Sequence, residues 1–141
     1  MEKIKIEKIA TYMAGFGEGK YRVEAVAVTC GKDVAVIAGG GTDYHIGAAV
    51  LAVPRPSLAD PSRLSASSSV ICVTGHKDDE IAKRAAQSLA SYLGCIVTVS
   101  AGIHVDNASS EDISIIEQYF NIVLEQIKIQ LQRHYGNNKS I

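Results

Sequence analysis

The chain opens on an alternation. From Lys3 to Ile9, Ile4 and Ile6 fall on one side and Lys3, Lys5 and Glu7 on the other, which predicts a half-buried strand. Tyr21–Thr29 is also β-like, with Arg22 and Glu24 giving way to Val26 and Val28. Gly31-Lys32-Asp33 predicts a hairpin turn into the apolar run Val34–Ile37. Three glycines follow, Gly39 to Gly41, and then a small-residue apolar strand over Ile46–Val53. Pro54–Ala66 holds all three prolines and several Ser and Asp, so it predicts a long exposed loop. Ser67–Val73 returns to strand character, and its apolar end, Val70 to Val73, predicts burial on both faces.

Two stretches change period from two to nearly four. In the first, Ile81, Ala85, Leu89 and Leu93 make an apolar face, with Ala82, Ala86 and Ala90 beside it for close packing. Asp78, Asp79 and Glu80 occupy its first turn, where the helix dipole favours negative charge, and Gly94 is placed to end it. After the short strand Ile96–Val99, a second helix starts near Ser109 or Ser110. Its stripe is Ile113, Ile116, Phe120, Val123, Ile127 and Leu131. Strands first and alternation later predict an α+β fold, a mostly antiparallel sheet with two main helices packed on one face. One domain over residues 1–135 and a frayed polar tail over 136–141 are expected.

Composition narrows the functions open to such a fold. A net charge of -1 gives no electrostatic reason to expect nucleic acid or an anionic membrane as partner. No apolar stretch reaches the ~20 residues of a membrane helix, and MEKIKIEKIA lacks the apolar core of a secretion signal, so a cytoplasmic protein is expected. Cys30, Cys72 and Cys95 are odd in number and lie in or beside strand-like runs, which favours reduced, mostly buried thiols over a zinc ribbon or a disulfide framework.

The chemistry gathers around histidines that closely follow glycine. They are His45 in Gly39-Gly40-Gly41-Thr42-Asp43-Tyr44-His45, His76 in Thr74-Gly75-His76-Lys77-Asp78-Asp79-Glu80, and His104 in Ala101-Gly102-Ile103-His104-Val105-Asp106-Asn107. His76 and Glu80, four apart at a helix start, share a face and suit two ligands of one divalent metal, with His104 and Asp106 able to complete the set. The same residues also have a purely structural use, because a His before an acidic first turn can cap it and Glu80 can complement the dipole. Gly39 to Gly41 offer consecutive N–H groups to a phosphate, or simply connect two strands. No Walker loop, dinucleotide fingerprint or nucleophile elbow is present, and Arg55 and Lys77 are the nearby cations. Taken alone, these residues leave open a small metal-dependent hydrolase and an assembly factor without cofactor.

Together, and in this order, the three motifs resemble the LpdD-like family of prenylated-flavin chaperones, small accessory proteins of UbiD-type decarboxylases such as gallate decarboxylase. The resemblance runs from the first strand through the second helix. It implies a fold like that of the proteasome assembly chaperones, paired as a homodimer, and binding rather than turnover. The implied cargo is reduced prenylated flavin mononucleotide (prenylated FMN), delivered to an apo-decarboxylase. Gly39, Gly40, Gly41, Thr42 and Lys77 would serve the phosphate, and Tyr44, His45 and the following apolar segment the flavin. A divalent metal on His76, Glu80 and His104 would assist.

Overall fold

A computed structural model describes residues 8–73 and 78–138, with side chains to residue 136. The predicted strand at Lys3–Ile9 and the pair His76 and Lys77 lie outside these, save for Lys8 and Ile9, which are irregular. The strands are β1 (Thr11–Phe16), β2 (Val23–Cys30), β3 (Asp33–Gly41), β4 (Asp43–Pro56), β5 (Leu64–Cys72) and β6 (Val97–His104). The helices are α1 (Asp78–Leu93) and α2 (Ser110–Asn138), and a 3-10 turn covers Gly19–Tyr21. The six strands form one sheet in the order β1-β2-β3-β6-β4-β5. Only the β3–β6 pair is parallel. The α+β fold with a mostly antiparallel sheet and two main helices is therefore the observed one.

The core follows from strand alternation. Val23, Ala25 and Ala27 of β2, Val34, Val36 and Ala38 of β3, Ala48, Val50 and Ala52 of β4, and Val97, Val99 and Ala101 of β6 are all buried. These are small side chains, and α1 meets them with Ala82, Ala85, Ala86 and Ala90, so helix and sheet approach closely. α1 lies over β4, β5 and β6, and α2 over β1 and β2. Leu89, Ile127 and Leu131 are fully buried between these layers, each worth roughly 1.5–3 kcal/mol relative to exposure.

Local signals set the helix ends. Gly94 takes a left-handed conformation (φ 68°) and its N–H returns to the Ala90 carbonyl, closing α1. At α2, Ser109 Oγ accepts the Asp112 N–H and the Asp112 carboxylate accepts the Ser109 N–H, each at 3.1 Å, a reciprocal cap.

Four expectations are corrected. Ile113, expected on the buried stripe of α2, is exposed, because Asp112 takes the inward position and bonds Tyr21. The long loop over Pro54–Ala66 shrinks to the stretch between Pro56 and Leu64, since Pro54 and Pro56 sit within β4. Both lie beyond the last β6 partner, Ala52↔Val97. Ser57 directs its N–H to the Arg63 carbonyl across the ribbon, so the positions alternating with it, Pro56 and Pro54, face the side with no partner. β5 is not buried on both faces: it is an edge strand, and Ile71 is 78% exposed. Of the cysteines only Cys95 is buried.

Among the described residues nothing covers the sheet face away from the helices. One row across it runs Met13, Val26, Ile37, Ser100, Ala49, Ile71 by pairing register, and Met13, Ile37 and Ile71 on it are exposed.

Candidate functional site

β3 and β4 follow each other in sequence but are separated in the sheet by β6. The chain must cross over the end of β6, and it does so at Gly41 and Thr42, directly at His104. The Thr42 N–H donates to the His104 carbonyl at 2.7 Å, and Thr42 Oγ1 donates to the same oxygen at 3.1 Å. Thr42 Oγ1 also accepts the Asp106 N–H at 3.1 Å. Gly41 is needed here on two counts: its φ is +84°, and a Cβ would stand 2.1 Å from the His104 carbonyl oxygen. This crossover brings Asp43 opposite His104 in the β4–β6 register. His104 Nε2 lies 3.0 Å from Asp106 Oδ1. One ligand atom from each of Asp43, His104 and Asp106 lies within 4.8 Å of the others, and all three residues are exposed.

A second arrangement adjoins it. β4 bulges between Tyr44 and Ala48, so its register passes from Tyr44↔Ile103 to Ala48↔Ala101 and leaves a gap beside Gly102. Asp78, the first residue of α1, fills that place: its Oδ1 accepts the Ile103 N–H at 2.9 Å, and its Oδ2 meets His45 Nε2 at 3.0 Å. Asp78 is buried, at a helix N-terminus that favours its charge. Glycines make the room, because a Cβ on Gly47 would stand 2.0 Å from Asp78 Oδ2, and one on Gly102 would stand 2.1 Å from the His45 carbonyl.

The triple glycine is strand rather than loop. Gly39 and Gly40 pair with β2 on one side, and all three glycines pair with β6 on the other. The Gly41 N–H donates to the Arg22 carbonyl at 3.0 Å. With the Thr42 amide also engaged, these N–H groups are held within the protein. What the glycines provide is a floor without side chains: the Tyr44 ring lies across Gly39, where a Cβ would approach it to 2.8 Å. Partial burial, then the Glu24 carboxylate, raises the Tyr44 hydroxyl above its ordinary pKa, against a lowering by Arg22.

Beside Arg22 is a recess of about 560 Å³ lined by Gly15, Phe16, Gly17, Glu18, Tyr21, Arg22 and Tyr119. Phe16 meets Tyr119 edge to face at 4.8 Å, and Tyr21 meets Tyr119 at 6.3 Å. The Tyr21 hydroxyl donates to Asp112 at 2.5 Å and Lys20 pairs with that carboxylate at 3.2 Å. The Tyr21 bond, then the Ser109 amide, hold Asp112 down to a pKa of about 2. A larger cleft of about 990 Å³ lies at the other end of β6, where Cys95, Tyr92, Tyr135, Lys8 and Lys32 line it.

The structure thus gathers Thr42, Tyr44, His45 and His104 with Gly39 to Gly41 at one end of the sheet. Glu80 is exposed in the first turn of α1 and is not grouped with His104 among the described residues. The carboxylates beside His104 belong to Asp43 and Asp106. Arg55 is engaged on the β4–β5 ribbon, donating to Ser67 Oγ at 2.8 Å. Sequence reasoning missed Asp43, Arg22, Phe16 and Tyr119 as site residues. Asp43 had no local signal, since its partner is set by the crossover. The aromatics had a faint one, because a chain with two Phe and six Tyr gathers three of these eight rings in one recess.

The family model of the prenylated flavin chaperone LpdD-like domain matches residues 17–132. The chain belongs to this LpdD-like family. Among the relatives of this LpdD-like chain is Protein LpdD of Lactiplantibacillus plantarum, 27% identical over 114 residues, which cover 81% of this chain and 80% of that one. The fold is shared with a chain from a crystal structure of a chaperone complex for yeast 20S proteasome assembly. The TM-score is 0.56 at 13% identity, over 90% of this LpdD-like chain and 98% of the other. The expected likeness to proteasome assembly chaperones is therefore found at the level of fold. No helix among the described residues is long and apolar enough to cross a membrane.

Proposed function

We propose that this protein binds reduced prenylated flavin mononucleotide and hands it to an apo-form UbiD-type decarboxylase in the cytoplasm, as a homodimer and without catalysing a reaction itself. The observation that carries this is the match to the prenylated flavin chaperone family over residues 17–132. The chemistry of the site supports it. An isoalloxazine needs flat apolar walls: Tyr44 supplies a ring on the glycine floor, and Phe16 and Tyr119 supply rings in the recess lined by Arg22. A flavin phosphate needs a cation, and Arg22 is beside that recess. Gly39, Gly40, Gly41 and Thr42 let the cargo approach the backbone, and His45, fixed by Asp78, offers an imidazole edge. Lys77 remains a candidate for the phosphate. The open apolar sheet face supports pairing of two chains.

The test is anaerobic titration of the purified protein with prenylated FMN and with ordinary FMN, followed by transfer to an apo-decarboxylase. Saturable binding of the prenylated form, with activity appearing in the client on mixing, is expected. Failure to bind either flavin would sink the reading. Substrate turnover by the purified protein alone would favour the hydrolase instead.

A further inference from the structure

The geometry points to a divalent-metal site made by Asp43, His104 and Asp106, whose remaining coordination positions face an anionic oxygen of the bound cargo. The second half rests on the flavin reading above; the first half does not.

Three observations carry it. First, the donor set is mixed, one imidazole nitrogen and two carboxylates, which suits a first-row divalent cation such as Mn²⁺, Fe²⁺ or Zn²⁺. The three ligand atoms already lie within 4.8 Å of one another, against roughly 3–4 Å around one bound ion. These side chains are exposed and have the rotamer freedom to close that difference. Second, the two carboxylates are uncompensated. Among the described residues neither Asp43 nor Asp106 has a Lys or Arg within ion-pair distance, and the Asp106 carboxylate meets only His104. Two negative groups held this close gain from a cation between them. Third, their spacing is imposed by the fold. Asp43 is brought to His104 by the β3-to-β4 crossover, and Thr42 ties that crossover to the backbone on both sides of Val105. The site is thus presented by the strand ends at Asp43 and His104 and by the turn at Asp106, with three protein ligands and the rest of the coordination sphere open to solvent. An open sphere can take a phosphate or carbonyl oxygen.

The probe is Mn²⁺ added to the metal-stripped full-length chain and followed by electron paramagnetic resonance. One Mn²⁺ per chain is expected. Asp43→Asn, Asp106→Asn and His104→Ala should each weaken binding by roughly tenfold or more, with melting unchanged because all three side chains are exposed. Absence of Mn²⁺ uptake by the wild-type chain, or uptake that survives Asp43→Asn combined with His104→Ala, would overturn the site. A second arm reads the ³¹P relaxation of added FMN. Enhancement by bound Mn²⁺ in the wild type, lost in His104→Ala, supports cargo ligation. FMN binding without enhancement overturns ligation. Mn²⁺ uptake with no binding of ordinary or prenylated flavin supports the metal site and defeats the flavin reading alone.

Discussion

Asp112 shows how one carboxylate can tie a helix start to a sheet. It accepts from Tyr21, from its own cap residue Ser109 and from Lys20, and the first two are the larger causes of its low pKa. A carboxyl that ionises more easily when folded contributes stability above its ordinary value of 3.8, and that contribution is lost as pH falls from there towards about 2. Asp112→Asn should therefore flatten the fall of the melting temperature between pH 4 and pH 2, as followed by circular dichroism. An acid limb as steep as wild type would show that other carboxylates carry it. Cys95 makes a second prediction at this scale. Burial, then the Asp33 carboxylate, pushes its thiol up to about 11. Little thiolate exists there at pH 8, and the sulfur is covered, so a disulfide reagent should label Cys30 and Cys72 in the native protein and Cys95 only after unfolding. Equal labelling of all three in native buffer would refute the burial.

At the scale of the element, what was legible depended on whether a local pattern or a distant partner set the structure. α1 was readable end to end, because its apolar face, its acidic first turn and its closing Gly94 are all local. β1 was not: Ala14 and Gly15 interrupt its alternation, and it exists through pairing with β2. The prolines of β4 misled for a related reason, since only the sheet order reveals that their missing N–H groups face an unpaired side. In the candidate site, His104 was visible because Gly-x-His at a strand end is a local signal. Asp43 was hidden because its partner lies across a crossover that sequence alone does not specify. α2 mixes the two cases. Its stripe is right from Ile116 onward and wrong at Ile113. Ile127→Ala should therefore cost about 2–5 kcal/mol, while Ile113→Ala should stay within about 0.5 kcal/mol. Urea denaturation of the two variants checks this, and comparable losses would mean that Ile113 is covered in solution.

Over the whole molecule, one face of the sheet is covered by two helices and the other by nothing among the described residues. Met13, Ile37 and Leu51 on that face are exposed, with Ile71 on the edge strand. Six strands at about 4.8 Å spacing, averaging nine residues at about 3.3 Å each, give a face about 29 Å by 30 Å. That is the scale of the roughly 800 Å² per partner in a standard stable interface. A second copy is a suitable cover, since the face is apolar and a net charge of -1 gives two copies little reason to repel. Ile37 is the residue to change. It stands on β3 in the middle of the row from Met13 to Ile71, and its side chain supports no core contact that folding requires. Ile37→Asp would set one carboxylate against its symmetry mate or against apolar surface, and neither can be hydrated once buried. In sedimentation velocity the wild type should run as a dimer and Ile37→Asp as a monomer with unchanged far-ultraviolet circular dichroism. A dimer that persists in the variant would place the contact elsewhere, and a monomeric wild type would leave the face for the decarboxylase. The same variant separates the two roles proposed for the fold. Mn²⁺ uptake at Asp43, His104 and Asp106 uses one chain and should survive it.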